Sequence, residues 1–348
     1  MSRAKAPRKG QKGPTIDDVA RRAGVSHMTV SRVLNQDGGV RPATRERVNA
    51  AIAKLGFVRN AAARSLAGAP QCRVALIYSN PSAHYLGELL LGSLAQARES
   101  DVELLVEPYD GQALVERLVG HRIDGVVLPP PLSDDQALLT ALNAVGLETV
   151  RLATGWTDKY SHSIAIDDES AARAMTIYLL GLGHRRIGFI LGDANQTASG
   201  LRRQGYEHAL RDAGIVPDPC LVVAGDFSFY SGLAATEALL ALPQPPTAIF
   251  ASNDDMAAAA INVAHRLAFS VPRDLTICGF DDTAIARTLW PELTTIRQPV
   301  AAMARAAMRL LVESIRGLRS GSEVERQHLL LDFELVERRS TAAPKMDA

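Results

Sequence analysis

Cysteine is scarce in this chain: 3 of 348 residues, at Cys72, Cys220 and Cys278, and none of them forms a CxxC pair. That spacing argues against a disulfide framework and against a zinc site. There is also no uncharged apolar run of about 20 residues, the length that crosses a bilayer. The N-terminus is charged and lacks the apolar stretch of a signal peptide. We therefore expect a soluble, cytoplasmic protein without a metal.

Two phosphate-binding motifs are missing as well. The glycine-containing segments lack GxGxxG spacing, and no GxxxxGK[ST] occurs, so no nucleotide cofactor is expected. Aromatic residues make up only 5% of the chain, but apolar residues make up 47%, which is enough for an ordinary folded core. A chain of 348 residues is expected to hold two or three domains.

The formal net charge of zero conceals an uneven distribution of charge. Residues 1–68 contain 14 Lys and Arg against 4 Asp and Glu, whereas the remainder contains 24 against 34. A basic N-terminal part on an acidic body indicates that the N-terminal part binds a polyanion. For residues 1–13 a solvated basic tail is an equally good interpretation.

Residues 15–35, TIDDVARRAGVSHMTVSRVLN, predict two short helices joined by a tight turn. Thr15 is the expected N-cap of the first helix, and Gly24 supplies the permissive backbone of the turn. Ser26 is the expected N-cap of the second helix. The first helix buries one face, formed by Ile16, Val19, Ala20 and Ala23. This arrangement is typical of proteins that insert a helix into the DNA major groove.

The second helix has an inward face formed by Val30, Val33 and Leu34. Its outward residues are small, polar or able to form hydrogen bonds; we call them the recognition surface, and they are His27, Met28, Thr29, Ser31 and Arg32. A third helix is predicted over 42–55. The alanine-rich segment 60–69 is too short to form a stable helix alone.

From residue 73 onward, short apolar runs alternate with segments of helix length, which predicts parallel sheets covered on both faces. The predicted strands are 74–80, 102–108, 124–130, 148–153, 185–193, 220–226, 247–254 and 275–282. The two sets of strands meet near residues 164–171, so we expect two similar lobes facing each other across a cleft. Several strands end in Asp, Asn, Gly or Pro at the edge where such sheets bind ligands.

These residues carry a resemblance to a known family. The segment 15–35, followed by TRERVNAAIAKLGFVRN and AARSLAG, closely resembles the DNA-binding region of the lactose/galactose repressor (LacI/GalR) family. Further similar phrases lie in the body: LGHRRIGFI, RRQGY, FASNDDMAAAA, GFDDT and PELTTIRQP. The resemblance implies a dimeric transcription factor, controlled by a small effector, with a three-helix head, a hinge helix and a two-lobed core resembling periplasmic binding proteins.

In the head, the resemblance places His27 and Met28 at base-reading positions. Arg32 can donate two hydrogen bonds to a guanine edge. Phosphate contacts are expected from Thr15, Thr29, Ser31 and Asn35, and Ser26 belongs to the same DNA-binding set. Packing under the helices remains an alternative for His27 and Met28, and a phosphate contact for Arg32.

The segment NAAARSLAG resembles the hinge helix of the family. There a leucine that matches Leu66 inserts into the minor groove and kinks the duplex. Asn60 and Ala63 are expected to lie close to the groove. Core packing remains an alternative for Leu66. Because the hinge is marginally stable, a small shift in the core could undo it.

In the body, Arg202 matches the arginine that binds the effector, and Asn253 and Asp281 match polar residues of the cleft. Tyr85 and Phe227 lie where the family has aromatic walls. Such a set suits a ligand with many hydroxyls, so a mono- or disaccharide is the expected effector. Helix capping is the alternative role for Asn253 and Asp281.

The expected function is a homodimeric, nucleoid-associated regulator that represses sugar-utilisation genes by binding a near-palindromic operator. The C-terminus lacks the leucine heptad that would make tetramers. A sugar-binding transport protein has the same core architecture. Such a protein would need a signal peptide and would have no use for a basic head. An enzyme using the carboxylate pairs Asp254–Asp255 and Asp281–Asp282, and a sequence-independent DNA binder, are weaker alternatives. The predicted domains are a basic tail (1–14), the head (15–59), the hinge (60–70), the core (71–341) and a C-terminal tail (342–348).

Overall fold

The structure is a computed structural model that describes residues 14–34, 39–55, 57, 72–111 and 113–345. The chain divides into two units, Met1–Gln71 and Cys72–Ala348. Four of the predicted DNA-contact residues lie outside the described residues: Asn35, Asn60, Ala63 and Leu66. In the described part, no helix has the length and apolar character needed to cross a membrane.

The first unit contains the three predicted helices, α1 (Ile16–Ala23), α2 (His27–Leu34) and α3 (Pro42–Leu55). Thr15 caps α1: its hydroxyl accepts a hydrogen bond from the Asp18 amide, and the Asp18 carboxylate in turn accepts one from the Thr15 amide. Gly24 ends α1 at φ 63°, a left-handed conformation that costs glycine little. The helices enclose a small apolar core of Val19, Ala20, Ala23, Val30, Val33, Val48 and Ala51.

The second unit begins with one lobe, built around a six-stranded sheet. Its strands are β1 (Arg73–Tyr78), β2 (Glu103–Pro108), β3 (Gly125–Leu128), β4 (Glu148–Leu152), β5 (His162–Ala165) and β11 (His328–Leu330), in the order β11-β5-β4-β3-β1-β2. All five neighbouring pairs are parallel. The helices of this lobe are α4 (Ala83–Ser100), α5 (Ala113–Gly120), α6 (Gln136–Ala144) and α12 (Val300–Arg319).

The other lobe has a second six-stranded sheet. Its strands are β6 (Ile187–Leu191), β7 (Val222–Ala224), β8 (Ala248–Ala251), β9 (Thr276–Asp281), β10 (Thr294–Arg297) and β12 (Glu334–Val336), in the order β12-β10-β9-β8-β6-β7. Its helices are α7 (Asp168–Gly181), α8 (Thr197–Asp212), α9 (Phe229–Leu240), α10 (Asp254–Arg266) and α11 (Ala284–Thr288). Every residue of β8 and β9 is buried, as expected for strands covered on both faces.

The predicted fold class is confirmed, with four strands that the periodicity did not reveal. These are β5, β10, β11 and β12, and β12 pairs with β10 in the antiparallel direction. β11 and β12 are three residues long and contain no fully buried residue, so neither forms the long apolar run of a buried strand. Because the chain leaves the first lobe after β5, returns at α12 and crosses again between β11 and β12, each lobe is completed by a distant part of the sequence.

Candidate functional site

The recognition surface lies on α2 in the first unit. The Ser26 hydroxyl accepts a hydrogen bond from the Thr29 amide at 3.2 Å and lies 2.9 Å from the Thr29 hydroxyl, so it caps the helix. His27, Met28 and Arg32 are exposed, and Met28 is 65% accessible. Thr29 and Ser31 are half-buried. The packing alternative for His27 and Met28 has no support here, since both side chains lie on the surface of the unit.

A cavity lies between the two lobes of the core. All five predicted effector residues line it: Tyr85, Arg202, Phe227, Asn253 and Asp281. They come from α4, α8, the segment after β7, the N-cap of α10 and the last residue of β9. The space among the lining residues, together with the part that is open to solvent, is about 350 Å³. Both lobes contribute walls, because the lining also includes Asn80, Ser82, Pro130, Ala153, Gln196, Ala198 and Gln298.

Arg202 is 4% exposed and already bonded. Its Nε donates to Asp168 Oδ1 at 2.8 Å, and one Nη donates to the Ser252 carbonyl at 2.5 Å. The guanidinium carbon lies 3.6 Å from the centre of the Phe280 ring. These contacts fix the direction of the guanidinium, so its remaining N–H groups are pre-oriented.

Asp281 lies across from Arg202, 4.0 Å from its Nη1. The Gln298 amide donates to its carboxylate at 2.5 Å. Burial is the main cause that raises the pKa of Asp281 to about 7, and the Arg202 charge opposes it. Its backbone has φ 113°, which is strained for a non-glycine residue. The capping alternative does not apply to Asp281.

Asn253 does cap a helix. Its Oδ1 accepts from the Met256 amide at 2.9 Å, and its Nδ2 donates to the Phe227 carbonyl at 2.8 Å. Asn253 therefore combines both roles that the sequence left open: it caps α10 and lines the cavity. Phe227 itself has φ 68°, and its ring lies so close to Gly192 that a Cβ there would come within 2.0 Å of the ring.

The two lobes are joined by direct contacts beside the cavity. On one side Asp255 accepts a hydrogen bond from Ser82 and lies 2.9 Å from His84 Nδ1. On the other side Asp134 accepts from the amide and the hydroxyl of Thr197, both at 2.8 Å. The N-terminus of α8 is thus capped by a carboxylate from the opposite lobe, since Gln196 forms no side-chain cap. The lobes are in a closed arrangement.

The remaining carboxylates of the proposed acid–base pairs have structural partners. Asp254 accepts from Thr283 and Thr295, and burial raises its pKa well above the usual range. Asp282 binds Arg297 at 2.7 Å and Arg338 at 2.5 Å, away from the cavity. Among the described residues, no group of three His, Cys, Asp or Glu side chains is placed to hold a metal ion.

Sequence reasoning missed several residues of the cavity. Asn80 ends the predicted strand 74–80 and lies two residues after β1, and Gln298 directly follows β10, so both lie at the carboxyl ends of strands, where such sheets bind ligands. β10 was not predicted, and Gln298 was missed with it. Gln196 lines the cavity and Asp168 binds Arg202 behind it; both lie at the starts of helices and carry no pattern that points to a ligand.

The fold and these two surfaces define a class: a helix-turn-helix protein with a two-lobed ligand-binding core. A model of the lacI family of bacterial regulatory proteins matches residues 15–60. A model of the periplasmic binding protein-like domain matches residues 176–341.

Similar proteins extend over nearly the whole chain. The HTH-type transcriptional regulator CelR of Thermobifida fusca is 35% identical over 340 residues, which is 94% of this chain and 98% of CelR. The HTH-type transcriptional repressor CytR of Escherichia coli K12 is 33% identical over 97% of this chain and 98% of CytR.

Two solved structures agree with these relatives. A CelR–cellobiose complex has a TM-score of 0.71 with 34% identity and covers 94% of this chain and 99% of CelR. A lac repressor dimer bound to operator and the anti-inducer ONPF has a TM-score of 0.71 with 30% identity. The match covers 95% of this chain and 100% of the lac repressor chain. The chain belongs to the lacI family and is a DNA-binding transcriptional regulator, as the resemblance implied.

Proposed function

We propose that this protein represses sugar-utilisation genes and that a sugar in the inter-lobe cavity sets its affinity for DNA. Two heads of a homodimer bind the halves of a near-palindromic operator in the cytoplasm, at the nucleoid. The protein senses its ligand and does not transform it. By linkage, the effect of sugar on DNA affinity equals the effect of DNA on sugar affinity.

One observation carries the proposal: a polar cavity with an aromatic wall, formed by both lobes, belongs to a chain that also has a helix-turn-helix head. An arginine, a carboxylate and an amide around Phe227 provide donors and acceptors for hydroxyls, while the ring can pack on the C–H face of a sugar. CelR, which has been seen with cellobiose, supports a carbohydrate ligand.

The head supplies the DNA contacts in this proposal. Base edges are contacted by His27, Met28 and Arg32. The phosphate groups of the DNA are contacted by the set Thr15, Ser26, Thr29 and Ser31. Thr15 and Ser26 also cap their helices, so their hydroxyls hold the local backbone in place. Asn35, Asn60, Ala63 and Leu66 complete the contact set as predicted from the sequence, with Leu66 inserted at the centre of the operator. The lac repressor structure, a dimer on its operator, supports this arrangement.

The test is a DNA-binding titration of the full-length protein. Palindromic DNA from upstream of neighbouring genes is labelled, and its affinity is measured with and without sugars identified by a thermal-shift screen, since a ligand of the folded state raises the melting temperature. A sugar that stabilises the protein and changes operator affinity supports the proposal. Operator binding that no stabilising ligand alters would contradict it, as would binding that does not weaken with salt.

A sugar-binding transport protein, the alternative that the sequence left open, is not favoured by the relatives. The core architecture is compatible with it, but the relatives that span this chain are named as transcriptional regulators and include the head. A transport role predicts that the full-length protein binds sugar and has no preference for any DNA sequence.

A further inference from the structure

We propose that the ligand of the inter-lobe cavity is a polyhydroxylated compound without a phosphate or carboxylate group. This inference rests on the proposed function, in which a sugar occupies the cavity, and it states which sugars the cavity admits.

The positive charge of the cavity is already neutralised. Among the described residues that line it, Arg202 and Asp281 are the charged ones. The Arg202 guanidinium forms a buried ion pair with Asp168 at 2.8 Å and faces Asp281 at 4.0 Å. An anionic ligand would therefore meet a cation that two carboxylates already surround.

The helix N-termini at the cavity are occupied as well. A helix N-terminus is an ordinary site for phosphate because its amides point outward and its dipole favours negative charge. Here Ser82 accepts from the Tyr85 amide at the start of α4, Asp134 accepts from the Thr197 amide at the start of α8, and Asn253 accepts from the Met256 amide at the start of α10. Each of these N-termini thus has a side chain of the protein bonded to an amide that a phosphate would use, and Asp254 and Asp255 add two carboxylates in the first turn of α10.

The carboxylates around the cavity already repel one another. Asp168, Asp254, Asp255 and Asp281 are each 9% exposed or less. Burial raises the pKa of Asp281, and the charges of Asp255 and Asp168 raise it further. Burial likewise raises the pKa of Asp168, although it is paired with Arg202. A further negative charge would add like-charge repulsion in a site that water does not screen well.

The uncharged polar atoms suit hydroxyls. In the described part of the chain, three buried atoms of cavity-lining residues have no hydrogen-bond partner: Tyr85 Oη, Gln196 Nε2 and Gln298 Oε1. The bond from Gln298 Nε2 to Asp281 fixes the orientation of the amide, and the oxygen Oε1 at its other end can only accept. A phosphate or carboxylate oxygen has no hydrogen to donate to it, whereas a hydroxyl can donate to Gln298 and accept from Gln196.

The experiment compares matched ligands that differ in charge. Isothermal titration of the full-length protein uses triplets built on common hexoses, pentoses and disaccharides: the neutral sugar, its phosphate and its sugar acid. We expect the neutral member of the recognised triplet to bind at least about a hundredfold more tightly than either anion. An anion that binds as well as its neutral parent overturns this inference and leaves the sugar-responsive function standing. Binding of no member of any triplet overturns the sugar assignment itself.

A variant tests the cause of the discrimination. Asp168→Asn keeps the hydrogen-bonding shape but removes the charge that neutralises Arg202, so the ratio of anion to neutral affinity should rise at least about tenfold. If Asp168→Asn folds poorly, Asp255→Asn serves as the test variant. Asp255 lies at the rim beside Ser82 and His84, and its substitution should raise the ratio of anion to neutral affinity in the same direction. Asp212→Asn is the control, since Asp212 is an exposed partner of Arg173 at the other end of α8. An unchanged ratio in both folded test variants would overturn the charge argument.

Discussion

The head and the cavity use polar side chains in opposite ways. On the head, His27, Met28 and Arg32 are exposed, and the helices that hold them depend on an apolar core on their other side. In the cavity, Arg202, Asn253 and Asp281 are buried, and each is bonded to the protein before any ligand arrives. The base-reading side chains of the head are therefore separate from those that stabilise it, whereas the polar side chains of the cavity also stabilise the core.

This difference has a physical cause. DNA is a polyanion that stays hydrated at its interface, so the side chains that contact it can remain in water until they bind. A small ligand between two lobes is desolvated, and the groups that contact it must be buried and oriented in advance. Buried polar groups need partners in the absence of the ligand. We therefore propose that the same residues stabilise the lobe to which they belong and contact the ligand.

The largest expected effect concerns Arg202. Arg202→Ala should abolish the response of DNA affinity to the sugar and also destabilise the core by about 3–5 kcal/mol, because Asp168 is left buried and unpaired. Calorimetry of ligand binding and chemical unfolding of the full-length protein measure the two effects.

The double variant Arg202→Met/Asp168→Leu separates stability from binding. It removes both buried charges, so it should recover most of the stability and none of the sugar binding. If Arg202→Ala has the same free energy of unfolding as the unmodified protein, Arg202 does not stabilise the core in addition to binding the ligand. The contrast between the cavity and the head would then be wrong.

The next effect concerns Arg32 on the head. Arg32→Ala should weaken operator binding by about 1–3 kcal/mol, the range of one bidentate base contact, and leave unfolding unchanged because the side chain is exposed. Fluorescence anisotropy with operator and with random DNA is the measurement. Arg266→Ala, at an exposed ion pair on α10, is the control. An equal loss of affinity for operator and for random DNA would favour the phosphate-contact alternative for Arg32.

A smaller effect concerns pH and Asp281. In the proposed site, sugar hydroxyls donate to the ionised carboxylate of Asp281, and burial raises the pKa of that carboxyl to about 7. Protonation therefore competes with the sugar, and affinity should fall about tenfold from pH 8 to pH 6. The titratable and charged groups around Asp281 include Arg202, Asp168, Asp255, Asp254 and Tyr85, and the Gln298 amide donates to its carboxylate.

The raised pKa of Asp281 also makes the stability of the folded protein depend on pH. Because the pKa in the folded protein lies above the ordinary value of 3.8, the folded state binds the proton more tightly than the unfolded state. The contribution of Asp281 to stability therefore falls as the pH rises from about 4 to about 7. Asp281→Asn should bind sugar more weakly and without this pH dependence. An affinity that increases on acidification would show that Asp281 does not accept from the ligand.

The smallest effect concerns the cap of α1. Thr15→Ala should destabilise α1 by about 1 kcal/mol, the usual value of an N-cap. Hydrogen exchange of the α1 amides in the full-length protein should then be about fivefold faster, whereas Thr15→Ser should restore protection. Unchanged exchange in Thr15→Ala would indicate that the first turn is held by other contacts.

The head and the cavity also differed in how far the sequence predicted them. The three helices of the head were predicted, and both ends of α1 and the start of α2 follow from Thr15, Gly24 and Ser26, which act on neighbouring residues. In the core, eight apolar strands were predicted, but short exposed strands such as β11 were not, because their pairing depends on residues far along the chain. The five predicted effector residues surround one cavity, yet Gln196, Gln298 and Asp168 were missed.

The sequence by itself determined the class of each unit, since periodicity and capping are local properties that the spacing of residues records. It also determined which residue types could contact DNA and a hydroxylated ligand. Only the tertiary structure decided the charge of the cavity. Arg202 on α8 is neutralised by Asp168, 34 positions away on α7, and by Asp281, the last residue of β9. Electrostatic energy depends on distance in space and on burial, and neither quantity can be read from positions along a chain.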